Sequence, residues 1–321
     1  MEMQDITQIQ QQFDGQSVLV LGDVMLDRYL SGRVARISPE APVPILEWHT
    51  TENRLGGAAN VALNVQALGG QVNLVSILGV DASGAEFCKC MEAAGLDTKY
   101  LVRSGQRKTT TKTRIMAAQQ HLLRIDAEDT GYLNAQEEDL VEAAWEKAWN
   151  QQPDVVILQD YDKGILNQAL IARIITDCNK KGVPVVVDPK RRQFWDYAGA
   201  ALFKPNLKEL SDALGWPVKP ELIDLTEAVR ALQTKMEFQQ VVVTLGSAGM
   251  YVFGDTPQIL APVPIQLSDV CGAGDTVISI LALGMAAKLP ISLTASLANQ
   301  GAAWVCTQPG VVPVTWEAWR S

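Results

Sequence analysis

Histidine is almost absent from this chain: only His49 and His121 occur among 321 residues. A His-cluster metal site is therefore excluded, and a Ser-His-Asp triad would have to use one of the two. Cysteine offers no framework either. Cys88, Cys90, Cys178, Cys271 and Cys306 are odd in number and include no C-x-x-C pair, which reads as reduced thiols in a cytoplasmic protein. Basic charge is scarce, with 27 Lys and Arg against 36 Asp and Glu and a net charge of −9. Such a chain is a poor partner for nucleic acid or an anionic membrane, and it can hold an anionic small molecule only through local basic groups. The longest strongly apolar run, residues 277–287, is about half of what a membrane span needs. The N-terminal MEMQDITQIQQQFDGQS lacks the basic and then apolar regions of a signal peptide. Three nucleotide signatures are missing as well. No G-x-x-x-x-G-K-[ST], no G-x-G-x-x-G in the first βα unit and no HRD/DFG pair occur, which argues against P-loop, dinucleotide-binding and protein-kinase readings.

What is present is an alternation of strands and helices. SVLVLG (17–22) is a short apolar run ending in Gly, the pattern of a buried parallel strand. GGAANVALNVQALGG predicts a helix over about 57–68, followed by the strand QVNLVSILG and the helix GAEFCKCMEAAG. After residue 126 the alternation resumes with DVVILQD, VPVVVDPK and ALFKPN as strands, QQVVVTLGSAGMYVFG as a hairpin, and two Ala-rich helices at the end. The expected fold class is α/β, a doubly wound, mostly parallel sheet with helices on both faces, in one domain over 1–321. Two stretches break the pattern. Residues 28–50 carry Pro39, Pro42 and Pro44, and residues 98–126 are rich in Thr and basic side chains. Together they predict a small antiparallel β lid.

Four segments are candidates for chemistry. In DVCGAGDT (269–276), Gly272 and Gly274 let backbone approach a ligand, and the helix that follows presents unpaired N–H groups. Such a site suits a phosphate or a developing oxyanion, with Asp275 placed as a general base; the same residues also suit a plain turn and cap. TLGSAG puts Thr244, Gly246 and Gly249 at a strand end, where they could cradle nucleotide phosphates or simply turn a hairpin. NLKE puts Asn206 and Glu209 on one helical face, suited to hydrated Mg²⁺ or to a helix cap with a surface Glu. Asp23 and Asp27, with Gly56, Gly57 and Asn60, leave a strand end where carboxylates and an amide could hold vicinal sugar hydroxyls, or serve turn and cap chemistry.

In this order the four segments resemble the signatures of the ribokinase-like (PfkB) family of small-molecule kinases, over about residues 17–318. GDVMLDRYLSGRVARISPEAPVPI, LGGAANVALNVQALGG, QQHLLRID, DYDKGIL and VDPK are most similar to its heptose 7-phosphate kinase branch. The resemblance implies transfer of the γ-phosphate of ATP to the anomeric hydroxyl of D-glycero-β-D-manno-heptose 7-phosphate, a step toward ADP-heptose and lipopolysaccharide. It further implies Asp275 as base and backbone N–H groups of Gly272, Ala273 and Gly274 on the transferring phosphoryl. Thr244, Gly246, Gly249, Asn206 and Asn299 would line the ATP site. Asn206 and Glu209 would hold Mg²⁺ through water, and Asp27, Asp23, Gly56, Gly57 and Asn60 would take the sugar. Because that sugar carries a phosphate, a basic anchor is expected among Arg124, Lys163, Lys190, Lys112 and Arg114.

Two positions depart from the family pattern. Cys271 stands where the family usually has Thr, on a loop that in relatives borders a monovalent-cation (K⁺) site. Leu55 stands where close relatives often have Pro, a change read as structural. Many relatives are fused to an adenylyltransferase, and this chain resembles the single-function form. A homodimer through the lid is expected. Alternatives are another sugar kinase such as a fructokinase, a silent sugar- or nucleotide-binding protein, or a nicotinamide-dependent oxidoreductase.

Overall fold

The computed structural model describes residues 3–117, 120–254 and 256–320. Among them, nine strands form one sheet. Its chain order is β1 (Ser17–Gly22), β4 (Gln71–Gly79), β5 (Leu101–Ser104), β8 (Val155–Gln159), β9 (Val185–Asp188), β10 (Ala200–Phe203), β11 (Phe238–Thr244), β12 (Met250–Phe253) and β13 (Gln258–Leu260). Across the sheet the strands run β13-β12-β11-β10-β9-β8-β1-β4-β5. All neighbours are parallel except the β11–β12 and β12–β13 pairs, which are antiparallel. From β1 the chain first adds strands on one side, then returns to β8 on the other. The order therefore reverses between β1 and β8, and the crevice beyond their carboxyl ends is where ligands of such sheets bind.

Alternation along β1 builds the layers. Val18 and Val20 face one core and Leu19 and Leu21 the other, all fully buried. On the first face pack helices Ala58–Ala67, Ala82–Ala93, Ala273–Ala286 and Ile291–Cys306, together with an N-terminal helix, Met3–Phe13. On the second pack helices Ala135–Trp149, Gln168–Lys181, Leu207–Leu214 and Leu222–Gln233. The N-terminal helix was not expected from its glutamine-rich sequence. Its apolar residues Ile6, Ile9 and Phe13, spaced three and four apart, are buried against the core.

The lid is a second sheet, ordered β3-β2-β6-β7, from β2 (Val24–Ile37), β3 (Pro44–Gly57), β6 (Thr111–Ala117) and β7 (Gln120–Ala127). It differs from the expectation in two ways. Leu101–Ser104 extends the large sheet instead of joining the lid. The central β2–β6 pair is parallel, flanked by antiparallel pairs. Ala118 and Gln119 of the expected lid stretch lie outside the described residues. No helix among the described residues is long and apolar enough to cross a membrane.

Candidate functional site

Asp275 lies in the first turn of the helix Ala273–Ala286, whose N-cap is Gly272. Gly272 has φ +83°, and a Cβ there would come within 2.9 Å of the Asn60 amide nitrogen. Only glycine fits both demands. The Asp275 carboxylate is buried and held at both oxygens. Asn60 Nδ2 donates to Oδ2 at 2.8 Å, and Tyr161 Oη and Gln159 Nε2 donate to Oδ1 at 2.7 and 3.3 Å. Burial pushes its pKa up to about 6, while the Asn60 and Tyr161 hydrogen bonds pull it down and Asp188 raises it further. A carboxylate so tuned is charged at neutral pH and can accept a proton.

The helix mouth opens into a cavity of about 680 Å³. Its lining includes Ala273, Gly274 and Val277 of that helix, together with Asn206, Thr244, Gly246, Gly249 and Asn299. The whole expected nucleotide set is thus brought together. Asn206 and Thr244 are joined by a β-bridge, and Asn299 is oriented by donating to Ala261 O at 2.8 Å. Apolar walls of Met250, Pro262, Val263 and Ile265 suit a flat heteroaromatic ring.

Asn206 and Glu209 form a capping box: Glu209 N–H donates to Asn206 Oδ1 at 2.8 Å, and Asn206 N–H to Glu209 Oε2 at 2.9 Å. The other Glu209 oxygen is ion-paired with Lys190. Lys190, one of the five candidate sugar-phosphate anchors, thus stands beside the capping box, with its ammonium also 5.5 Å from the centre of the Tyr161 ring.

On the other side, Asp27 and Arg114 form a buried ion pair between β2 and β6. Gly56 is the close neighbour that leaves room for the Asp27 carboxylate. Asp23 is engaged differently from the expectation. Its carboxylate accepts the backbone N–H groups of Tyr161, Lys163 and Ile165 at 2.9, 3.1 and 3.3 Å, so it shapes the loop that presents Tyr161. Gly57, with φ +61°, lets the chain pass close to Asp23 O. Lys163 and Lys112 both pair with Glu128, at 2.9 and 3.5 Å. Arg124 is more than half exposed and bound to Asp126 of its own strand.

Sequence reasoning overlooked Gln159, Tyr161, Asp188 and Lys204. All four stand at or just beyond the carboxyl ends of β8, β9 and β10. The strand-end rule that singled out Asp23 after β1 applies to them equally. Lys204 is almost fully buried, 3.1 Å from Asp188 Oδ1, and its ammonium lies within 3.9 Å of the position of a Cβ on Gly274.

Residues 16–318 match the model of the pfkB family of carbohydrate kinases. The chain belongs to the PfkB family. It is a phosphotransferase acting on a sugar hydroxyl. Among curated relatives, the bifunctional protein HldE of Methylobacillus flagellatus is 39% identical over 298 residues, covering 92% of this chain and 61% of the relative. HldE of Caulobacter vibrioides is 40% identical over 312 residues, covering 94% and 62%. The chain thus spans about three fifths of the length of these relatives. Among solved structures, the PfkB fold is shared with Arabidopsis thaliana ribokinase complexed with ribose and ATP (TM-score 0.72, 20% identity, 95% of this chain and 97% of that one). It is shared too with Escherichia coli phosphofructokinase-2 in complex with potassium (TM-score 0.77, 18% identity, 95% and 96%).

Proposed function

We propose that this PfkB kinase transfers the γ-phosphate of ATP to the anomeric hydroxyl of D-glycero-β-D-manno-heptose 7-phosphate, giving the 1,7-bisphosphate. The observation that carries the reading is Asp275, a buried carboxylate at a helix mouth that opens on the nucleotide cavity, in a chain about two fifths identical to HldE proteins. Asp275 takes the hydroxyl proton as the sugar oxygen attacks the γ-phosphorus; the bond from that phosphorus to the β–γ bridging oxygen breaks, and ADP leaves. Of the expected Gly272, Ala273 and Gly274 donors, Ala273 N–H is turned to Val270 O at 3.4 Å; the N–H groups at Gly274 and the next residue, Asp275, together with the nearby Lys204 ammonium, stabilise charge on the transferring oxygens.

Asn60, whose amide donates to Asp275, and Asp27 suit the sugar hydroxyls. Lys112 and Lys163 are partly buried ammonium groups that meet at Glu128, Lys112 being paired with Asp126 as well at 3.1 Å, whereas Arg124 is more than half exposed. Their enclosure favours them as the seat of the 7-phosphate over Arg124.

Magnesium fits this donor set. Asp188 Oδ1 is buried and accepts no hydrogen bond, although Lys204 Nζ is near, and Glu209 and Asn206 lie by the nucleotide cavity. These residues would hold hydrated Mg²⁺, which when bound neutralises charge between the β- and γ-phosphates.

The test is ADP release with ATP and Mg²⁺ across D-glycero-D-manno-heptose 7-phosphate, fructose, fructose 6-phosphate, ribose and sedoheptulose 7-phosphate. A dominant kcat/KM for the manno-heptose phosphate is expected. A preference for fructose or fructose 6-phosphate would keep the kinase and overturn the substrate.

A further inference from the structure

Arg54, on β3 directly opposite Asp27 in the lid sheet, has no part in the mechanism above, yet its surroundings are shaped for it. Its Nη1 donates to two backbone carbonyls, Pro309 O at 2.9 Å and Val311 O at 3.2 Å. Its Nε donates to Glu52 Oε1 at 2.6 Å. Its guanidinium carbon lies 5.1 Å from the centre of the Tyr29 ring. Between the two carbonyls, Gly310 adopts φ +69°, and any side chain there would collide with the guanidinium.

The loop that receives Arg54 is packed on the signature loop. Cys306 O accepts the N–H groups of Ser268 and Asp269 at 2.8 and 3.2 Å. A Val311 methyl lies 3.4 Å from the position a Cβ on Gly272 would take. The helix-mouth loop thus rests on a loop whose converging carbonyl oxygens are neutralised by a fixed positive charge from the lid.

A potassium ion beside this loop would need several oxygens of its own, and the donors present do not fit one. Cys271 supplies no hydroxyl, the Asp269 carboxylate is already turned to the Cys271 N–H at 3.0 Å, and the carbonyls of Pro309 and Val311 already face the Arg54 guanidinium. A second cation among them would also meet the guanidinium at short range in a partly buried setting, where like charges repel strongly. A guanidinium is weakly hydrated and offers a fixed fork of donors, so it suits this place better than a free ion.

We propose that Arg54 is a built-in cation: it holds the 309–311 loop under the signature loop in the manner of a monovalent ion, so that turnover is independent of potassium. It acts as a positioning residue, through the loop.

The test compares KCl with tetramethylammonium chloride at constant ionic strength, in wild type, Arg54→Met and Arg54→Lys. Two readouts are used: thermal melting without substrate, and ADP release. In wild type neither the melting midpoint nor kcat/KM is expected to depend on which cation is present. Arg54→Met is expected to lose kcat/KM by about tenfold or more, and to regain part of it, with a raised midpoint, in potassium alone. Arg54→Lys, which keeps the charge, is expected to lie between the two. A wild type activated or stabilised specifically by potassium would overturn the inference. So would an Arg54→Met enzyme that answers to no ion, whether or not it is slowed. The activity arm rests on the sugar-kinase reading and the melting arm does not, so a wrong sugar and a wrong cation role give different patterns.

Discussion

At the scale of single residues, the site depends on how Asp275 is held. Its carboxylate accepts from Asn60 on one oxygen and from Tyr161 and Gln159 on the other, and its pKa is raised by burial to about 6. A base must be deprotonated, so kcat/KM is expected to fall about tenfold per pH unit below about 6. Tyr161 favours the charged form. Tyr161→Phe removes that hydrogen bond, raises the pKa further and moves the acidic limb upward by about one to two pH units. A pH–rate profile of both enzymes checks this, and an unmoved limb would show that Tyr161 does not tune the base. The raised pKa itself was not legible in the sequence, because it comes from neighbours 114 to 215 positions away along the chain.

At the scale of elements, the legible features were those written in local chemistry. The strand SVLVLG, the Gly-rich helix mouth and the TLGSAG turn follow from apolar runs and glycines, and they stand where the pattern put them. The N-x-x-E segment carried two readings, and the structure realises the capping box directly. Asn206 thus both starts a helix and lines the nucleotide cavity. Asn206→Ala is expected to cost about 1 kcal/mol of stability from the lost cap and to raise KM for ATP, measured by denaturant melts and kinetics on one preparation. Stability lost with KM unchanged would reduce Asn206 to a cap. The lid was harder to delimit. Short strands of mixed Thr and basic residues do not announce their partners, so LVRS could pair in either sheet, and only the three-dimensional register sends it to β4. A parallel β2–β6 pair joins positions 85 residues apart, Leu26 with Thr111 through Gly32 with Ala117, a contact no local pattern encodes.

At the scale of the whole molecule, the proposed function has two sheets bring two substrates to one carboxylate. The large sheet supplies the crevice at the β1–β8 reversal, and the lid supplies Asp27 and the basic groups. The lid's outer strand β7 is exposed along its length, including Leu123 and Ile125. Such an edge favours pairing with a second lid. A homodimer is therefore expected by sedimentation, and a monomer on replacing Leu123 and Ile125 by Glu; a monomeric wild type would contradict the pairing. The acidic net charge, −9, fits the local character of the anion sites, which are built from helix N–H groups and a few lysines.

The most direct test of the central claim is Asp275→Asn, which keeps size and neighbours while removing the base. Turnover of the best sugar should fall by at least about 10²-fold, with the Kd for ATP, measured by calorimetry, nearly unchanged. Retention of more than roughly a tenth of the wild-type rate would contradict Asp275 as the base, and with it the way this site performs phosphoryl transfer.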